Sequence, residues 1–296
     1  MPARDPDTDA RSSSRSISAR RRNLLAGIGV VGLAGVGTAS GYRLLSTEHD
    51  TVDSKRTLAV DDEFDLEDVD LEPAGEDSHG SDVVSQECDP NPETYVSRNH
   101  TANLTLIDAW NERYRIWGER NASADDGDDN DSRERDENGV FVQNSVVVDK
   151  ASERVDGSYL YGVRLHSMAH VESGRVTRHR LQRMENELAV DPEIEIRSVL
   201  PSAPIRPEDG VCTLTLLREL PSGWPVGYER SWWVDEGRIE TDHDEDDDRV
   251  TLSFDGDVSH AVGMEGYLEL RTDRPLSAFD DPFEWTIRGE GTRRGW

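Results

Sequence analysis

The sequence predicts an all-β fold: an antiparallel β-sandwich of about twelve short strands, preceded by a signal or anchor helix and a disordered acidic spacer. Three observations carry that expectation. Apolar and polar residues alternate with period two in many short runs beyond residue 88. Glycine, proline, asparagine and aspartate separate those runs, as turns between strands require. No long segment keeps a helical period, and the best short helix candidate is 183–190. The organisation that follows is a leader over 1–41, a spacer over 42–87 and a sandwich domain over 88–296.

The most specific signal in the chain lies in its leader. Residues 1–19 are polar and rich in serine and arginine. Arg20-Arg21-Arg22-Asn23-Leu24-Leu25 follows, and then a glycine-, alanine- and valine-rich run to Gly41. A basic flank, a short apolar stretch and small residues at Gly37 to Ser40 are the parts of an export signal. Arg21, Arg22, Leu24 and Leu25 resemble the motif of twin-arginine signals, with Arg20 where that family usually has serine or threonine. The resemblance covers the first 41 residues. It implies the twin-arginine export machinery as a partner, passage in the folded state, and residence outside the cell membrane. The alternative is a plain N-terminal anchor with a basic cytoplasmic flank. The uncharged run 23–42 is near the lower length limit for a bilayer span. If it is not cleaved, the membrane is a second partner. No cysteine follows the run closely enough to suggest a lipid anchor.

Composition describes the environment. The formal net charge is −29, and the part beyond residue 41 is more acidic still, because residues 1–41 carry six arginines against three aspartates. Lys55 and Lys150 are the only lysines. Acid enrichment with lysine depletion resembles the proteins of extreme halophiles, which gives the chain a haloarchaeal character. At about 1 M salt the Debye length is about 3 Å, so self-repulsion on this scale is screened. The same charge excludes nucleic acid as a partner, since phosphate binding needs clustered basic residues. Within residues 46–90 sixteen acids face only Lys55 and Arg56 as lysine or arginine, which is why the stretch reads as a disordered spacer.

The strands follow in order. Ala102, Leu104 and Leu106 alternate with Asn103 and Thr105. Trp110, Tyr114 and Trp117 flank a hairpin-like turn expected at 108–112. Tyr159, Tyr161, Val163 and Leu165 share a face that continues through Ala169 and Val171. Ile194 and Ile196 repeat the pattern, as do Cys212, Leu214 and Leu216. Val250, Leu252 and Phe254 form another run, followed by Met264, Leu268 and Leu270, and finally Trp285 and Ile287. Two acidic clusters, 125–137 and 240–248, read as loop tips.

Cys88 and Cys212 are the only cysteines, and an exported chain with so sparse an even count predicts one disulfide between them. Asp126, Asp128, Asn130, Ser132, Glu134 and Glu137 have the ligand spacing of an EF-hand loop, but Asp131 replaces the turn glycine and no amphipathic helices flank it. His166, His170 and His179 are the densest histidine group. Residues four apart on a strand are separated by about 13 Å, too far to share one metal. No metal site and no cofactor are assigned. Asn99, Asn103, Asn121 and Asn130 are N-glycosylation sequons. Trp232 and Trp233 are adjacent, so on a strand one points inward, and the outward one is a candidate binding surface. No nucleophile elbow, zinc-protease motif or phosphate loop occurs, so no catalytic residue is named. The expected function is an exported, envelope-associated binding or structural module facing an extracellular partner. The alternative is a secreted hydrolase with a carboxylate or metal site.

Overall fold

The computed structural model describes residues 47–60, 82–91, 99–117, 138–174, 177–244 and 247–295. The chain is all-β: its described strands form three antiparallel sheets, and no α-helix occurs among the described residues. Sheet I orders β1 (Thr47–Leu58), β14 (Phe283–Gly295), β7 (Thr177–Val190), β12 (Arg249–Val258) and β11 (Arg238–Asp244). Sheet II orders β4 (Leu104–Ile116), β5 (Gly139–Ala151), β6 (Tyr159–Glu172), β13 (Ala261–Thr272) and β8 (Glu195–Leu200). Sheet III orders β2 (Val83–Asp89), β9 (Val211–Glu219), β10 (Pro225–Trp233) and β3 (Asn99–Ala102).

Sheet II is the middle layer. Its β6 buries Tyr161, Val163, Leu165 and Ala169 on one face, and these pack with Met184 and Leu188 of β7, Phe254 of β12 and Trp285 of β14. Each of the valine, leucine, methionine and phenylalanine side chains contributes about 1.5–3 kcal/mol when fully withdrawn from water. A polar pin crosses this apolar layer. The Asn186 side-chain amide on β7 donates to Ser167 Oγ at 3.1 Å and to the His166 carbonyl at 3.2 Å, and its oxygen accepts from Trp285 Nε1 at 2.7 Å.

The opposite face of sheet II meets sheet III. Tyr228 of β10 stacks on Tyr267 of β13, with ring centroids 4.7 Å apart. Gly162 lies under that stack because any Cβ there would overlap the Tyr267 ring. Sheets II and III are joined at Asn103, between β3 and β4. It adopts φ +54, a left-handed conformation that asparagine tolerates, and the chain passes there from one sheet to the other. The Cys88–Cys212 disulfide forms as expected. It links directly opposed residues of β2 and β9 and so lies within sheet III.

Several expectations are corrected. The sandwich contains three sheets, and β1 and β2 are added to the twelve strands, β3 to β14, that the described residues show within the expected domain. The helix candidate 183–190 belongs to β7, where Met184, Asn186 and Leu188 face inward and Glu185 and Glu187 face outward. The spacer range 42–87 includes all of β1 and most of β2, while 61–81 lies outside the described residues. β1 pairs with β14 along its full length and places Leu58 in the core with Arg56 stacked over Trp285. Main-chain pairing of this kind leaves no mark in composition. The hairpin expected at 108–112 is absent: β4 runs through it, with a register shift between Leu106 and Asp108. In the second acidic cluster, Glu240 to Asp244 is strand rather than loop tip.

Candidate functional site

The outward face of sheet I is built from the residues that alternate with the core. Register places them in cross-strand rows. Asp53, Arg288, Glu185, Ser253 and Glu240 form one row, and Lys55, Thr286, Glu187, Thr251 and Asp242 form the next. No apolar side chain interrupts either row.

The centre of this face is an ion ladder. Arg288 Nη1 donates to Glu185 Oε2 at 3.1 Å and to Glu187 Oε2 at 2.9 Å. Arg249 Nη1 donates to Glu187 Oε1 at 2.7 Å, and Arg183 pairs with Glu185 Oε1. All four carboxylate oxygens of the two glutamates are therefore held by arginine. Both glutamates are buried although they point away from the core, at 8% and 5% exposed. Burial pulls the Arg288 guanidinium down, but its hydrogen bonds to Glu185 and Glu187 outweigh that, so it stays protonated more firmly than a free arginine.

A groove of about 330 Å³ opens over this ladder, across β11, β12, β7 and β14. Arg183 and Arg288 lie toward one side, Glu240 and Asp242 belong to β11 on the other, and Thr251 and Ser253 lie between. The volume is at the small end for ligand pockets, and the wholly polar lining is unlike the apolar pockets that take hydrophobic ligands.

A second concentration of charge is sealed between sheets II and III. Arg218 Nε donates to both Glu269 oxygens at 2.9 Å, and its Nη2 donates to Ser198 Oγ at 3.0 Å. Arg230 pairs with Glu265, which also accepts from the Tyr228 hydroxyl at 3.0 Å. Arg164 holds the buried Asp149 at 3.0 Å. Burial raises the Asp149 carboxyl, and Arg164 opposes that shift. Burial, then Arg230 and Arg164, lower the His166 imidazole, so it is neutral at pH 7. These groups satisfy one another and hold sheet III on sheet II.

The three histidines do not converge. His166 lies in this seam, His170 is exposed on the same strand with Glu172 3.4 Å away, and His179 is buried on β7 in sheet I with Trp117 edge-on. Among the described residues no group of three or more histidine, cysteine, aspartate or glutamate side chains is placed to hold a metal ion. Trp232 is half-buried over Gly263 with the Arg230 guanidinium 4.8 Å from its ring. Trp233 points outward, 45% exposed, and donates to Asp235 at 3.1 Å. Asn99 lies on β3 opposite Arg230, and the Asn103 side-chain amide donates to the Pro225 carbonyl at the sheet corner. Asn121, Asn130, the EF-hand-like spacing and the export residues Arg21, Arg22, Leu24 and Leu25 lie outside the described residues.

The sequence reading missed Glu185, Glu187 and Arg288 altogether. The available signal was Glu185-Asn186-Glu187, a period-two pattern of acids around a polar residue. It was unreadable because acids occur throughout the chain. No protein-family model matches the chain, and no curated protein matches its sequence.

Proposed function

We propose that the chain is an exported, halophilic, envelope-associated β-domain that binds a ligand rather than transforming one. The twin-arginine-like leader with Arg21, Arg22, Leu24 and Leu25 supports export, and the lysine-poor acidity supports a saline exterior. The observation that carries the binding reading is the arginine-saturated pair Glu185 and Glu187 beneath an open polar groove. A hydrolase would need one carboxylate free to attack or to deliver a proton. Here each oxygen of Glu185 and Glu187, the two carboxylates on the groove floor, must give up an arginine first. The same saturation makes the groove floor rigid, which lowers the ordering cost of binding.

Two measurements test the reading. Arg21→Lys with Arg22→Lys, followed by immunoblotting of cytoplasm, envelope and medium, is expected to retain the protein inside; unchanged export would sink that half. Co-sedimentation with isolated cell envelopes is expected for the wild type and not for Ser253→Trp, which fills the groove. Equal sedimentation of the two would remove the groove from the function.

A further inference from the structure

We infer that the groove on sheet I takes a neutral, hydroxyl-rich saccharide. This rests on the reading of that face as a binding surface. One side carries guanidinium donors, Arg183 and Arg288, which are 54% and 44% exposed at their side chains. The other carries the carboxylate acceptors Asp242, which is exposed, and Glu240, which also pairs with Arg238. Thr251 and Ser253 between them offer hydroxyls that both donate and accept. A ligand must therefore present acceptors and donors close together, and it gains nothing from apolar surface.

Charge narrows the class. A polyanion meets Glu240, Asp242 and a chain whose net charge is −29. A polycation meets Arg183 and Arg288 directly over the ladder. Each would place a like charge in the groove, and at high ionic strength the long-range attraction that could offset this is screened. A sugar ring avoids both conflicts. Its neighbouring hydroxyls can each accept from a guanidinium and donate to a carboxylate, and charge-assisted hydrogen bonds of that kind are among the stronger ones available. The volume of about 330 Å³ suits a short saccharide segment, and the solvent-open side lets the rest of a chain continue past it. Among the described residues no aromatic side chain lines the groove, which assigns recognition to hydrogen bonding, so affinity for one unit is expected to be modest.

The test is titration of the purified full chain with soluble neutral oligosaccharides, namely maltohexaose, cellohexaose, chitohexaose and mannohexaose, with oligogalacturonate as the polyanionic comparator. Calorimetry at high salt gives the readout. The expected result is saturable millimolar or tighter binding of at least one neutral sugar, none of oligogalacturonate, and at least a tenfold loss in both Ser253→Trp and Asp242→Ala. Asp242 is exposed on the edge strand β11, so its truncation leaves folding intact even if the tryptophan variant fails. No binding of any neutral sugar, or binding that neither variant weakens, overturns the inference. If the sugars fail while Ser253→Trp still abolishes envelope sedimentation, the ligand class is wrong and the binding face stands. If sedimentation also persists in that variant, the face itself is wrong.

Discussion

Replacing Asn186 with leucine isolates the polar pin between sheets I and II. Leucine keeps the same branching and number of side-chain heavy atoms, so the perturbation is a loss of hydrogen bonds rather than a cavity. Asn186 is fully buried and Trp285 is 1% exposed. The Trp285 indole N–H, now held at 2.7 Å, would be left without a partner or access to water, which costs about 1–3 kcal/mol. The Ser167 hydroxyl, also fully buried, loses its donor at 3.1 Å and adds about 1 kcal/mol. The carbonyls of His166 and Ser145 lose weaker contacts at 3.2 and 3.4 Å. Burying leucine instead of an amide returns about 1 kcal/mol. The expected net loss is about 2–3 kcal/mol, read from urea unfolding followed by tryptophan fluorescence at fixed salt. Trp285→Phe removes the donor, so the double variant should be more stable than the sum of the singles by about 1–2 kcal/mol. Strict additivity, or a single-variant loss below about 0.5 kcal/mol, would refute the reasoning.

Four further outcomes are expected. Gly162→Ala should destabilise by about 1–3 kcal/mol and reduce the near-ultraviolet tyrosine signal, because its Cβ displaces Tyr267 from the Tyr228 stack; an unchanged signal would place the stack elsewhere. Replacing Cys88 and Cys212 together with serine should lower stability by up to about 4–5 kcal/mol by freeing a loop of sequence separation 124, and reductant should have no further effect on that variant. Arg288→Met should cost about 1–2 kcal/mol, less than for a fully buried pair because Arg288 is 44% exposed, and Glu187→Gln in the same chain should recover part of it. Burial raises Tyr228 and Tyr267 well above the usual tyrosine range, so the fold favours their neutral forms. Their contribution is complete below about pH 10, where the unfolded tyrosines titrate, and falls as pH rises beyond it. An ultraviolet pH titration should show these rings ionising only as the protein unfolds; early ionisation of all seven tyrosines would contradict their burial.

The sequence made the sheets legible wherever one face of a strand was apolar and the other polar. β6, β9 and β12 are of this kind: Val163 and Leu165, Leu214 and Leu216, Leu252 and Phe254 all lie in the core. It failed where that contrast was missing. β1 alternates Thr51, Asp53, Lys55 and Thr57 with Val52, Ser54 and Arg56, so its inner face has little apolar signal, and pairing with β14 holds it in place. β7 hides its period because the inward Asn186 is polar and the outward Glu185 and Glu187 are buried. The third layer was invisible because the outward face of sheet II reads as solvent-exposed: Arg164, His166, Glu265 and Glu269 look like surface until Arg218 and Arg230 arrive from sheet III. The disulfide could be expected from cysteine arithmetic alone. The groove could not, since it depends on which acids and arginines cross-strand register sets side by side.

The pairing of β1 with β14 also sets a timetable. The acidic strand at Thr47–Leu58 leaves the ribosome early, yet its hydrogen-bonding partner at Phe283–Gly295 is made more than two hundred residues later. At about 5–20 residues per second that is a delay of roughly 10–45 s. Throughout it, sheet I lacks two neighbouring strands and Trp285, so the layer against sheet II stays open. The charges on β1 keep the waiting segment hydrated, which discourages pairing with a wrong edge. Under the proposed export reading, the leader over 1–41 is therefore readable long before the domain behind it is finished. A translocation system that inspects folding would have to hold its decision until the strand at 283–295 has closed the sheet.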